Sequence, residues 1–286
     1  MIYLILSILF STSLFVIFKY FQVFKVNTLQ AIVINYVIAF TLGMFSSSSF
    51  NKLTTISTQP WVYGAAFLGF LFVSIFFVMA KVSQENGVSV ASIAGKMSVV
   101  VPIIFGIILY NESVTFLKVI GILIALIAVY LASVKDEKSN LKASLLFPLL
   151  LFVGSGIIDT TLKYTETNFV PLNEVEFFSG SLFGFAAVFG IVILIVKQLT
   201  SKEKFELKSI VAGIVLGIPN YYSIVFLIKA LQNKNFESST LFTVNNVATV
   251  IVSTLVGLLL FKENFSIKNK IGVALAVLGI ILVTIA

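Results

Sequence analysis

The sequence predicts an all-α integral membrane protein of ten transmembrane helices, arranged as two inverted five-helix repeats. Three observations carry this. Of 286 residues, 59% are apolar and only 11% charged, less than half the charged share of a soluble domain. The apolar residues fall in runs long enough for a hydrocarbon core of about 30 Å, which takes about 20 helical residues to cross. The second half of the chain also repeats the first. Spans in this number leave no room for an extramembrane domain of any size.

The first run, about 2–19, is uncharged and closes in Lys19-Tyr20. Its lysines follow the apolar stretch instead of preceding it, so it reads as a retained span and not as a signal peptide. The second, about 29–46, holds Asn35-Tyr36 and leads into the longest link, about fifteen residues to Pro60. The third, about 61–81, closes in Lys81 and Gln84, and the fourth, about 88–110, carries Lys96. The fifth, about 116–134, follows the turn Asn111-Glu112-Ser113. After Lys135-Asp136-Glu137-Lys138 comes the sixth, about 144–163, with Asp159 four residues before Lys163. The seventh, about 173–196, opens after Pro171 with Glu174 and Glu176, and the eighth, about 209–229, holds Pro219-Asn220-Tyr221-Tyr222. The ninth, about 238–261, holds Asn245-Asn246, and the tenth, about 267–286, follows Lys262-Glu263-Asn264. Links this short make neighbouring spans antiparallel.

Composition removes whole classes of chemistry. There is no His and no Cys, and all 19 basic residues are Lys. Zinc sites, thiol nucleophiles, haem ligation and Ser-His-Asp catalysis are therefore excluded, and neither an enzyme nor a cofactor is expected. No phosphate-binding loop of the Gly-x-x-x-x-Gly-Lys-Ser/Thr type occurs, which excludes ATP-driven pumping by this chain. The net charge of +7 comes from lysines scattered along the loops, without interleaved aromatic residues. That pattern suits anionic lipid headgroups, and no nucleic-acid partner is expected.

The repeat is the most informative feature. At one constant offset, Glu112 with Ile120-Gly121 lies over Glu263 with Ile271-Gly272. Lys81 and Gln84 correspond to Lys229 and Gln232, and Lys19-Tyr20 to Lys163-Tyr164. Residues 1–136 and 143–286 form the two copies, and a copy with an odd number of spans forces the next to enter the membrane in the opposite sense. Inverted repeats of this kind place a binding site near the midplane and alternate access by rocking.

The stretches Leu109-Tyr110-Asn111-Glu112 before Ile120-Gly121 and Phe261-Lys262-Glu263 before Ile271-Gly272, with Lys19 and Lys163 closing the first spans, carry a family resemblance. The chain resembles the ten-helix EamA-type branch of the drug/metabolite transporter superfamily over its whole length. Two departures stand out: Ser11-Thr12-Ser13-Leu14 replaces the Trp-Gly-x-Asn stretch common in the first span, and Asn35 stands where Arg is frequent. A family site built on those groups is not carried over. The resemblance implies a secondary carrier of small metabolites, often an exporter, and the expected location is a bacterial inner (plasma) membrane.

Within the spans, Lys96 is the residue of greatest interest. A lysine this deep costs several kcal/mol unless it is paired or faces water, so it is read as a ligand contact, with a salt bridge to Asp159 as the structural alternative. Its counterpart in the second half is Asn245-Asn246-Val247, so one repeat offers a cation and the other neutral amides, which suits an anionic or zwitterionic ligand. Asp159 is a proton or ammonium acceptor, or the partner of Lys163 one turn on. Asn35, Asn220 and Tyr221 line a cavity or hydrogen-bond between helices. Glu174, Glu176, Glu112 and Glu263 read as helix-start residues, with Thr115 and Ser266 as N-caps. Gly180-x-x-x-Gly184 and Gly213-x-x-x-Gly217 read as internal close-packing signals.

The leading function is a secondary active transporter, an exporter of a small polar or amphipathic metabolite such as an amino acid. Its partners are that small molecule, coupled protons and membrane lipids, and the chain is a monomer or homodimer. The alternative is a non-transporting membrane scaffold or lipid-handling protein. Orientation divides the two lines of argument: loops after odd-numbered spans hold thirteen lysines and the other side five, which puts both termini outside, whereas the resemblance implies termini inside.

Overall fold

The computed structural model describes residues 2–46, 50–110, 115–133, 141–171, 174–201, 204–231, 238–263 and 266–285. Their regular structure is helical: α1 (Ile2–Val23), α2 (Thr28–Ser46), α3 (Val62–Glu85), α4 (Val88–Met97), α5 (Val100–Tyr110), α6 (Phe116–Ser133), α7 (Leu141–Phe169), α8 (Val175–Ser201), α9 (Leu207–Leu231), α10 (Ser238–Leu260) and α11 (Ile267–Ile285), with a 3-10 helix at Phe50–Thr58. Among the described residues seven stretches are long and apolar enough to cross a membrane: Ile2–Val23, Thr28–Phe45, Val62–Glu85, Val88–Phe105, Leu145–Glu166, Phe177–Thr200 and Leu207–Leu227. Shorter apolar helices cover Val119–Ala132 and Val244–Leu260. Helix is the form such segments take, because in lipid each backbone N–H and C=O needs a partner within the segment.

Every expected run is helical, yet the described residues form eleven α-helices and not ten, because the fourth run is broken after Met97. Pro102 supplies the reason. It has no N–H to give the Ser98 carbonyl four residues back, and its ring collides with that carbonyl in a continuous helix. The Ser98 carbonyl instead accepts the Val101 N–H at 2.9 Å, a tighter turn, while the Ser98 hydroxyl donates to the Gly95 carbonyl at 2.7 Å. Two helices outrun the apolar runs that announced them: α7 continues to Phe169 and α8 to Ser201. Hydropathy marks the membrane-crossing part, and Lys, Glu and Gln continue a helix well beyond it.

The chain divides into two compact units, and neither coincides with one half of the sequence. The first comprises Met1–Tyr20, Val78–Ile157 and Tyr222–Ala286, the second Phe21–Phe77 and Ile158–Tyr221.

In the first unit, repeat-equivalent helices pack on each other. α11 lies on α6, with Gly272 against Ala128 and Ala132 and Gly279 against Ala125, so the two run antiparallel. α10 lies on α4 in the same sense: Ser253 donates to Ser92, and Gly257 sits beside Ser89. Asn269 secures the first pair by donating to the Leu131 and Ala132 carbonyls at 3.2 and 2.8 Å, where α6 runs out of intrahelical donors. Ser266 caps α11 as expected: its hydroxyl accepts the Asn269 N–H at 3.2 Å, and Asn269 Oδ1 accepts the Ser266 N–H at 3.1 Å. Two residues of the repeat signature lock helix ends together, since Lys19 Nζ donates to the Gln84 carbonyl at 2.7 Å and Gln84 Nε2 to the Phe18 carbonyl at 3.1 Å.

Lys81 and Lys229, which the sequence alignment of the two halves pairs, both lie near aromatic rings. Lys81 stands 4.0 Å above the ring of Phe147, and Lys229 stands 5.7 Å from the ring of Tyr3. The offset that matches Lys19 to Lys163 also matches Tyr3 to Phe147. Each lysine thus reaches an aromatic residue in the other half of the sequence.

The second unit holds α2 against α8, again repeat equivalents and again antiparallel. Gly180 lies on Gly43 and Met44, Gly184 on Phe40, and Gly190 on Val33. α9 runs alongside α2 in the parallel sense, Gly213 against Ile34 and Gly217 against Ile38. Both glycine pairs therefore serve contacts within the chain. The core is aromatic: Trp61, fully buried, makes edge contacts with Phe177 and Phe178 at 5.4 and 5.3 Å, and Met44, Leu68 and Leu182 pack around them. Its indole N–H points to Glu174 Oε2 at 3.4 Å, so the carboxylate just before α8 serves this core.

Candidate functional site at the broken fourth span

Lys96 lies in the last turn of α4, half-buried, immediately before the break. A cation is well placed there, because the final carbonyls of a helix carry the negative end of its dipole. Past Ser98, whose backbone stays right-handed helical (φ −55°, ψ −19°), and Val99, α5 begins at Val100. A lysine and a helix start thus meet within four residues of chain, inside an otherwise apolar span.

The helix that the sequence alignment of the two halves pairs with α4, α10, is intact. The offset that lays Glu112 over Glu263 lays Pro102 over Ser253, so α10 lacks the residue that splits the fourth span. In α10 the Asn245 carbonyl accepts the Thr249 hydroxyl at 2.7 Å, and Ser7 Oγ lies 3.2 Å from Asn245 Oδ1 and 3.1 Å from the Ser223 carbonyl. Asn245 is buried and held among these groups, while Asn246 is half-buried. Lys96, Asn245 and Asn246 therefore stand on two helices packed against each other in the first unit.

The remaining expected residues belong to the second unit. Asn220 Nδ2 donates to Asn35 Oδ1 at 3.1 Å, and both side chains are buried. Of the two readings open for this pair, hydrogen bonding between helices is the one the geometry exhibits. α9 passes through Pro219 as one helix, and Tyr221 is buried beside Gly43. Asp159 is exposed on α7. The side chains of Lys163 and Glu176, and all of Glu112, lie outside the described residues.

Several polar groups escaped sequence reasoning. Pro102 carried a legible signal, a breaker inside an apolar run. The Ser92–Ser253 contact did not, because serines in spans usually bond their own helix. Thr12 and Thr254 have buried hydroxyls with no hydrogen-bond partner among the described residues. Thr12 lies in the stretch Ser11-Thr12-Ser13-Leu14, where the resemblance breaks down.

Comparison with known proteins agrees with this architecture. An uncharacterized protein of Haemophilus influenzae is 28% identical, with 94% of this chain and 93% of its own length aligned. A crystal structure of a protein with 16% identity shares the fold at a TM-score of 0.59, covering 98% of this chain and 97% of that one. Residues 1–134 match the EamA-like transporter family. With multiple apolar helices and this similarity over residues 1–134, the chain is a multi-pass integral membrane protein.

Proposed function

We propose that the protein is a secondary active transporter that exports a small anionic or zwitterionic metabolite, such as an amino acid, by alternating access between two inverted five-span repeats. The observation that carries this reading is the break of the fourth span beside Lys96. Broken helices at membrane depth occur where backbone lines a cavity, and helix starts at such breaks meet anionic groups of substrates. Lys96 supplies the charge that attracts a carboxylate, the start of α5 adds backbone dipoles of the same sign, and Asn246 offers a neutral amide from the other repeat. The inverted relation is supported by three pairs of equivalent helices packed antiparallel: α2 on α8, α4 on α10, and α6 on α11. Asp159, exposed on α7, takes the role of proton or ammonium acceptor in this scheme. An inner (plasma) membrane is the location this role requires.

A metabolite comparison between cells lacking and overproducing the chain identifies the substrate, and Lys96→Met tests the site. The variant is expected to reach the membrane at near-normal abundance and to lose efflux of that metabolite. A scaffold or lipid-handling protein would tolerate the change, so full efflux by Lys96→Met overturns the proposed site.

A further inference from the structure

Glu263 follows α10 in the chain, yet its carboxylate serves α4. One oxygen accepts the Val88 N–H at 2.6 Å and the other the Ser89 hydroxyl at 3.0 Å, so the first turn of α4 is capped from another helix. α4 cannot cap itself: its N-cap residue is Gly87, at φ 111°, with no side chain to offer. The carboxylate occupies a slot that two glycines leave open. A Cβ on Gly87 would stand 2.8 Å from the carboxylate and one on Gly257 2.5 Å, so neither position accepts a larger residue without displacing it. The backbone beneath is fixed as well, since Lys262 adopts a left-handed conformation (φ 49°) that lets the Glu263 N–H reach the Gly257 carbonyl at 3.1 Å.

α4 is only ten residues long, with Gly87 at one end and the Ser98-Val99 break at the other. A rod of about 15 Å with a joint at each end is oriented by whatever grips those ends. Glu263 grips the first end, and the second carries Lys96. We infer that Glu263 is a positioning residue for Lys96, acting through α4 as a rigid lever. Its consequence for transport rests on the proposed role of Lys96, whereas the lever itself is testable without any substrate.

The chain has no Cys, so introduced thiols report alone. Two readouts in native membranes suffice. Ser92→Cys with Ser253→Cys monitors the seat of α4 through the rate of disulfide formation, with Asn35→Cys and Asn220→Cys as a control pair in the second unit. Lys96→Cys monitors the far end through its rate of modification by an anionic methanethiosulfonate. Loss of a helix cap predicts about a five- to tenfold change in both rates on adding Glu263→Ala, a smaller change with Glu263→Gln, and none in the control pair. If Glu263→Ala does not accumulate, Ser89→Ala removes one of the two donors and gives the same comparison. Unchanged rates at both probes overturn the inference, and so does a change at the 92–253 pair alone, which would make Glu263 a local cap and no lever. Loss of transport in Lys96→Met with unchanged probe rates would overturn the lever and leave the carrier reading standing.

Discussion

Asn35 and Asn220 were legible as polar residues in apolar runs, but that they bond each other was not, because nothing in one sequence pairs position 35 with 220. Their geometry makes a definite forecast. Asn35→Leu strands the Asn220 amide in a buried setting and is expected to cost about 1–3 kcal/mol. Removing both amides in Asn35→Leu/Asn220→Leu should cost less than the sum of the single changes, as a double-mutant cycle of thermal unfolding in detergent measures. Additive costs would show that the two amides work separately, each facing a ligand or water. Lys96 stood out by charge alone, and the structure adds what charge could not reveal: it closes a helix instead of interrupting one. Glu263 was read as a helix-start residue of the span that follows it, but its carboxylate meets the start of α4 and not of its own α11, a distinction that requires the fold.

At the scale of elements, each apolar run proved helical but the count was misjudged, since apolarity continues smoothly across the Ser98-Val99 break while backbone bonding does not. Pro102 is the cause, so Pro102→Ala should mend the helix. Restoring the missing N–H and removing the ring favours a continuous helix by up to about 3 kcal/mol. The expected outcome is stronger protection of the amides of residues 99–102 in hydrogen exchange, undiminished abundance, and loss of efflux because the start of α5 is no longer presented. Unchanged protection would mean that tertiary packing, and not Pro102, splits the span. Glycine seams set the other element-level constraint. At Gly69 an added Cβ would come 2.5 Å from Phe185 Cβ and 2.8 Å from the Ala186 amide nitrogen, so α3 and α8 must separate to admit it. Gly69→Ala is therefore expected to lower stability by about 1–3 kcal/mol, read as an earlier thermal transition.

For the whole molecule, the expectation of two copies rests on lysines, glutamates and glycines that recur at matched positions in the sequence, whereas the two compact units were not legible there, because each gathers segments from both halves. The break in the fourth span also bears on topology. Eleven helices crossing independently would leave the termini on opposite sides of the membrane. But α4 and α5, with ten and eleven residues, reach only about 15 and 16 Å, half of a hydrocarbon core, so together they are expected to make one crossing, which keeps the expected number at ten. Both termini then share one side. Lysine distribution makes the prediction: thirteen lysines lie in loops after the odd-numbered expected spans against five on the other face, and the richer face is expected in the cytoplasm. Alkaline phosphatase fused after Ala286 is accordingly expected to be active, and a fluorescent protein at the same point dark. The same pair of reporters placed before Met1 should give the same answer. Opposite results at the two ends would show that α4 and α5 cross separately. Agreement between the ends with the fluorescent protein bright would keep ten crossings and reverse the orientation, showing that the lysine bias does not govern insertion of this chain.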